Sequence, residues 1–317
     1  TTLDRTGKEI IRFLHGDKLT ITGDNVIEML KRAEEWGVTA VVKKCQELFP
    51  GVEKVDDVAQ FCVDELVKKR FISRNDFHLR VLRSLGKGIK SIKIVSNHND
   101  RAFELIVRQL TELEQLHVKG TLSSRRVKVI TGLTNLKHLK VEAMHSDADC
   151  RLLAELPKLE TLRFLGCHFT DDAFDALPKM TMLKIKLCGR IKGKTVPIPE
   201  NTLLLERCYR LQDVVMERLE GAELERLAVT DCHRISSEAF KRLAKCQLKT
   251  LDISSTQIEN DVIEELGKMS LEKLTFANCR HITDVRALET SSIAIINHSG
   301  CILQRNCACR DKHPRGC

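Results

Sequence analysis

Leu271-Glu272-Lys273-Leu274-Thr275-Phe276-Ala277-Asn278-Cys279 sets apolar residues in the pattern Leu-x-x-Leu-x-Leu-x-x-Cys. The same pattern recurs at Leu159-Leu162-Phe164-Cys167 and at Leu224-Leu227-Val229-Cys232. Taking the first position of each copy, units start at Ile89, Leu113, Leu136, Leu159, Met180, Glu200, Leu224, Leu248, Leu271 and, degenerately, Ile293. A fixed period of this size marks a solenoid, in which each unit buries its apolar edge only against its neighbours. The first half of each unit alternates as a strand does. The spacing in Ala239-Phe240-Leu243-Ala244 and Val262-Ile263-Leu266 is helical, behind a Ser or Thr suited to cap it. The expected fold is α/β: a leucine-rich-repeat solenoid of about ten strand–turn–helix coils over residues 89–301, with parallel strands lining a concave face and helices covering the convex one.

Eight residues after seven of the ten starts stands Cys167, Cys188, Cys208, Cys232, Cys279 or Cys301, with Thr256 in one unit. Residues confined to one repeat position are packing residues. With several of the thirteen cysteines used in this way, they read as buried free thiols in a reducing cytoplasm or nucleus, not as a disulfide framework. Ile191-Lys-Gly-Lys-Thr-Val-Pro197-Ile-Pro199 breaks the pattern; its prolines call for a loop in place of the convex helix.

These units resemble the cysteine-containing leucine-rich repeats of F-box substrate receptors of cullin ubiquitin ligases. The likeness covers roughly residues 89–300 and bears on fold more than on function.

Residues 1–88 lie outside the repeat. Helices are expected over Asn25–Ala33, over Val41–Leu48 before Pro50, and from Val55 to Val67. This segment resembles the last third of a BTB domain. Ile10-Ile11-Arg-Phe13-Leu14-His15-Gly16 stands at that family's helix end, Leu19-Thr-Ile21 at its short extended stretch, and Asn25–Leu48 at its two closing helices. His15 departs from the family's residue, and the sheet-forming two thirds have no counterpart. Either the chain is truncated or the helices are a cap over the first repeat. The BTB resemblance implies a ligase adaptor that contacts a cullin through its N-terminal helices.

On the concave face, side chains two, four and six places after each start should point outward. The early units then present Lys93, His117, Lys119, His138, Lys140, Arg163, Lys184 and Lys186, with Glu142 the one acid among them. These are the candidate partner-binding residues, for an acidic or phosphorylated protein segment. The plainer reading is a strand face kept polar for water. The later units read as small and near neutral. A net charge of +8 suits acidic partners, while a 4% aromatic content argues against the stacking platforms of single-strand nucleic-acid binders.

No Walker loop, HExxH or GxSxG motif occurs, and Gly86-Lys87-Gly88 precedes a strand, so it reads as a turn. Cys232–His233 has no third group in sequence, so no enzyme and no cofactor is expected. No run is long and apolar enough for a membrane span. The Cys-rich tail, 302–317, offers Cys307, Cys309, His313 and Cys317 as weak zinc ligands, at a spacing that matches no familiar module. An exposed end, or a disulfide-bonded cap of an extracellular repeat protein, are the other readings, and the sequon Asn297-His298-Ser299 matters only in the last. The function expected is a substrate-recognition adaptor of a cullin ligase; the alternative is a repeat scaffold or inhibitor that binds an acidic partner with no ligase link.

Overall fold

The computed structural model describes residues 4–52, 57–69, 72–73, 75–85, 88–95, 99–298 and 301–304, the last four and His298 for their backbone alone. The chain forms two compact units, Thr1–Lys137 with Leu156–Lys158, and His138–Glu155 with Leu159–Cys317.

The first unit opens with α1 (Arg5–Leu14), α2 (Val26–Glu35), α3 (Thr39–Gln46), α4 (Val58–Lys68) and α5 (Phe77–Leu85). The apolar spacing of α2 buries Val26, Ile27, Met29, Leu30 and Ala33 on one face. Gly23 lets the chain pass close to α5: a Cβ there would lie 2.6 Å from the Phe77 carbonyl oxygen and 2.8 Å from Arg80 Cβ. Two parallel strands follow, β1 (Ser91–Val95) and β2 (Gln115–Lys119), with helices α6 (Asp100–Val107) and α7 (Ser124–Ile130). Gln60 of α4 closes the open edge of β1: its Nε2 donates to the Lys93 carbonyl at 2.8 Å, and its Oε1 accepts from the Lys93 N–H at 2.9 Å. One side chain thus supplies both bonds a neighbouring strand would make, which protects an edge that could pair with another chain.

The second unit is a sheet of β3 (His138–Glu142), β4 (Thr161–Leu165), β5 (Met182–Lys186), β6 (Thr202–Glu206), β7 (Arg226–Thr230), β8 (Thr250–Asp252), β9 (Lys273–Thr275) and β10 (Ile295–His298). Each is parallel to the next and in chain order. Each of the strands β1 to β10 begins two residues after the first position expected for its repeat. Alternation buries one side of each strand, as in β4, where Leu162 and Phe164 are buried. The architecture is an α/β leucine-rich-repeat solenoid.

The convex segments are shorter than the helical spacing suggests. α8 (Asp147–Leu152), α9 (Val214–Leu219), α10 (Ser237–Phe240) and α11 (Asn260–Leu266) are α-helical, but Lys241–Lys245 continues α10 as a 3-10 turn. In the units starting at Leu159 and Met180, the two shortest, Asp171–Phe174 is a 3-10 turn and residues 189–200 form the expected loop. There is too little chain for a helical turn and its two connections. Ser236 caps α10 as expected, accepting from the Ala239 N–H at 3.3 Å.

The last unit differs from the repeat. Cys301 does not stand in a turn after β10 but opens β11 (Cys301–Gln304), antiparallel to β10. Cys307, Cys309, His313 and Cys317, Lys87 and Ser299 lie outside the described residues.

Candidate functional site

Two features of the repeat turn were not apparent in the sequence pattern. The first is a left-handed residue directly before the cysteine position. Ala143, Leu187, Arg207, Asp231, Ser255 and Asn278 have φ between 54° and 59°, and Gly120 and Gly166 occupy the same place. Such a conformation costs a non-glycine residue about 1–2 kcal/mol. It persists because the N–H of this residue extends the ladder to the next coil, as from Leu187 to the Glu206 carbonyl and from Arg207 to the Thr230 carbonyl, both 2.9 Å. Gly, Asp, Asn and Ser hint at the turn; Ala143, Leu187 and Arg207 conceal it.

The second is the cysteine's bonding. Cys232 Sγ donates to the Thr230 carbonyl at 3.3 Å and to Leu205 of the preceding coil at 3.7 Å. Cys208 bonds to Glu206 and Ile185, and Cys279 to Ala277 and Ile253, in the same way. Thr256 replaces the thiol by a hydroxyl that reaches the Ile253 carbonyl at 2.5 Å. The nine cysteines whose side chains are described are all buried and none is disulfide-bonded. Burial pushes the Cys208 thiol up to about 11 and that of Cys232 up to about 12. Cys232 and His233 do not act as a pair: His233 Nε2 turns to Asp231 Oδ1 at 2.8 Å.

A polar ladder ties the coils together behind the turn. Asp147 accepts from the Thr170 N–H, Asp171 from those of Lys192 and Gly193, Asp213 from that of Ser236, and Asn260 from that of Thr283. Asp171 thereby holds the loop that replaces a helix.

On this frame the outward strand positions fall in register. Lys140, Arg163 and Lys184 are direct partners across β3, β4 and β5, and the row continues as Leu204, Ala228, Asp252 and Thr275. His138 stands beside Thr161 and bonds to it through Nδ1. In the first unit Lys93 and His117 are register partners, and Lys119 stands opposite Val95.

The charge on this face is lower than strand-by-strand reading suggests. Lys184 Nζ lies 2.5 Å from Glu206 Oε1 and Lys186 Nζ 3.0 Å from Glu206 Oε2, so one acid on β6 serves two lysines on β5. Lys140 pairs with Glu142 at 3.4 Å. Burial favours the neutral form of Glu206, but the hydrogen bonds from Lys184 and Lys186 outweigh it and hold the carboxyl below its usual range. Arg163 is exposed and has no carboxylate within 4 Å among the described residues. Leu204 and Ala228 point outward in register yet are buried, at 7% and 6% exposure.

No group of three or more metal-ligating side chains exists among the described residues, and no described helix is long and apolar enough to cross a membrane.

No family model matches the chain. A protein named as an adenylate cyclase regulatory protein of Trypanosoma equiperdum is 26% identical over 58% of this chain. That match spans 30% of the relative's length. Among solved structures, the Rad7 and Elc1 complex of yeast superimposes with a TM-score of 0.42 at 15% identity, covering 93% of this chain and 87% of that one. A TLR13–ssRNA13 complex gives 0.38 at 16% identity, over 66% of this chain and 34% of that one.

Proposed function

We propose that the chain is a non-enzymatic interaction module whose strand face binds an acidic segment of a protein partner. The observation that carries this reading is the register row Lys140–Arg163–Lys184, with Arg163 at its centre lacking a carboxylate among the described residues. A planar guanidinium left unpaired between two ammonium groups is suited to a carboxylate or phosphate. Lys186 and His138 are candidate contributors beside this row, and Lys93, His117 and Lys119 are a separate candidate set on the first unit's own strands. Buried thiols without disulfides among the described residues support a reducing compartment, cytoplasm or nucleus, as the place of action. Charge reversal at Lys140, Arg163 and Lys184 is expected to abolish partner binding; unchanged affinity rejects this face.

The finer proposal is a substrate adaptor of a cullin ligase. It rests on the resemblance of the repeats to F-box receptors and of residues 7–49 to the end of a BTB domain. Co-purification tests it: a complex lacking any cullin, with α1–α5 intact, ends the ligase link. The second reading, a scaffold or inhibitor with no such link, is favoured by Gln60, whose helix serves to seal β1 as a cap would. The relative named as a cyclase regulator fits this reading equally.

A further inference from the structure

We propose that the edge of the second unit formed by the turns after β5, β6 and β7 docks an acidic, leucine-bearing segment of a partner protein. This surface is distinct from the strand face. Each turn carries an exposed arginine two places after its cysteine: Arg190, Arg210 and Arg234. None has a carboxylate within 4 Å among the described residues. Of the acids in these turns, Asp231 is already taken by Arg207 at 3.0 Å and by His233, and Asp213 accepts from the N–H and hydroxyl of Ser236. A surface charged only for solubility mixes both signs. Farther along the same edge, Asp231 and His233 border an open depression of about 700 Å³ with Arg280 and His281.

Apolar anchors lie among these charges. Leu187 is 40% exposed and Tyr209 47%, the two large exposed hydrophobic residues described in this unit. Leu187 is doubly costly, since it exposes an isobutyl group from a backbone with φ 58°, at a position where other coils use Gly120, Gly166 or Asn278. A bulky side chain held in the left-handed region serves something other than the fold. Arginine, tyrosine and an exposed aliphatic group around one patch have the composition of an interface centre. Nucleic acid fits less well, because the edge offers a single exposed large aromatic side chain, Tyr209, with the His233 ring near-parallel beside it at 6.3 Å between centroids, and not a series of stacking platforms.

The test is fluorescence anisotropy of the full chain with a short labelled peptide alternating Glu and Asp around one Leu. Binding is expected to weaken with salt and to fall about tenfold or more in Arg190→Ser/Arg210→Ser/Arg234→Ser. Leu187→Gly should lose affinity several-fold while its melting temperature stays level or rises, because glycine relieves the turn. In a Lys140→Ser/Arg163→Ser/Lys184→Ser background, which removes the strand-face row, peptide binding should persist and should still fall on the edge substitutions. No binding in that background, or binding retained there in both edge variants, overturns the proposal; loss of all binding with the strand-face row favours the strand face instead. An oligouridylate that binds more tightly than the peptide also overturns it. If the triple variant fails to fold, Leu187→Gly alone decides.

Discussion

Lys184 of β5 donates to Glu206 of β6 at 2.5 Å, although the two are 22 residues apart in sequence. The contact joins an apparently basic coil to an apparently neutral one. It makes Glu206 the residue that sets how much positive charge β5 presents.

Glu206→Gln should release both lysines and strengthen binding of an acidic peptide at the strand face. It should also cost about 1 kcal/mol of stability at neutral pH. Because the folded carboxyl titrates below its unfolded value, its contribution is present above roughly pH 4.3 and lost as pH falls through the folded value. Melting temperatures of parent and variant should therefore diverge at neutral pH and converge in acid. A constant gap from pH 3 to 7 refutes the pairing.

Gly193 has φ 101°, and a Cβ there would lie 2.7 Å from Val215 Cβ and 3.2 Å from Leu211 Cδ1. Gly193→Ala combines strain with overpacking and should cost about 2–4 kcal/mol in urea unfolding. Gly166→Ala, at φ 64° with open space around it, should cost only about 1 kcal/mol. Equal losses at both positions contradict the close approach of the loop to α9.

Asp171→Ala removes the acceptor of the Lys192 and Gly193 N–H groups, bonded at 3.1 and 3.0 Å. One buried and one part-buried donor lose their partner, so a loss of about 2–3 kcal/mol is expected. Amide exchange at Lys192 and Gly193 should accelerate more than at Cys188. Unaltered exchange in the loop dismisses Asp171 as its tether.

The thiols of Cys45, Cys208 and Cys232 stand at about 11, 11 and 12 through burial. At pH 8 about one in a thousand or fewer is thiolate, so iodoacetamide should leave all three unlabelled until denaturant is added. Prompt native-state labelling of any of them places it on the surface instead.

Much of this architecture is legible along the chain. Unit starts at Leu159 or Leu271 place β4 and β9 to the residue, because a strand buried on one face must alternate and a one-residue slip inverts it. The outward set containing Lys140, Arg163 and Lys184 follows from the same alternation. The cysteine position is visible because a single small polar residue recurs there. The left-handed turn is not, since Leu187 and Arg207 carry none of the residues that favour it. Nor are the burial of Leu204 and Ala228 or the edge closure by Gln60, each of which depends on what a neighbouring element supplies.

Sequence alone determined the repeat, its period, and which side of each strand faces water, because those are local consequences of apolar spacing. Tertiary structure alone decided which charges survive on the working surfaces. Glu206 reaches back one coil to Lys184 and Lys186, and Asp231 to Arg207, while Arg163, Arg190, Arg210 and Arg234 meet no carboxylate among the described residues. Stacking brings together side chains some two dozen residues apart, and electrostatic pairing acts over a few ångströms of space, whatever the separation along the chain.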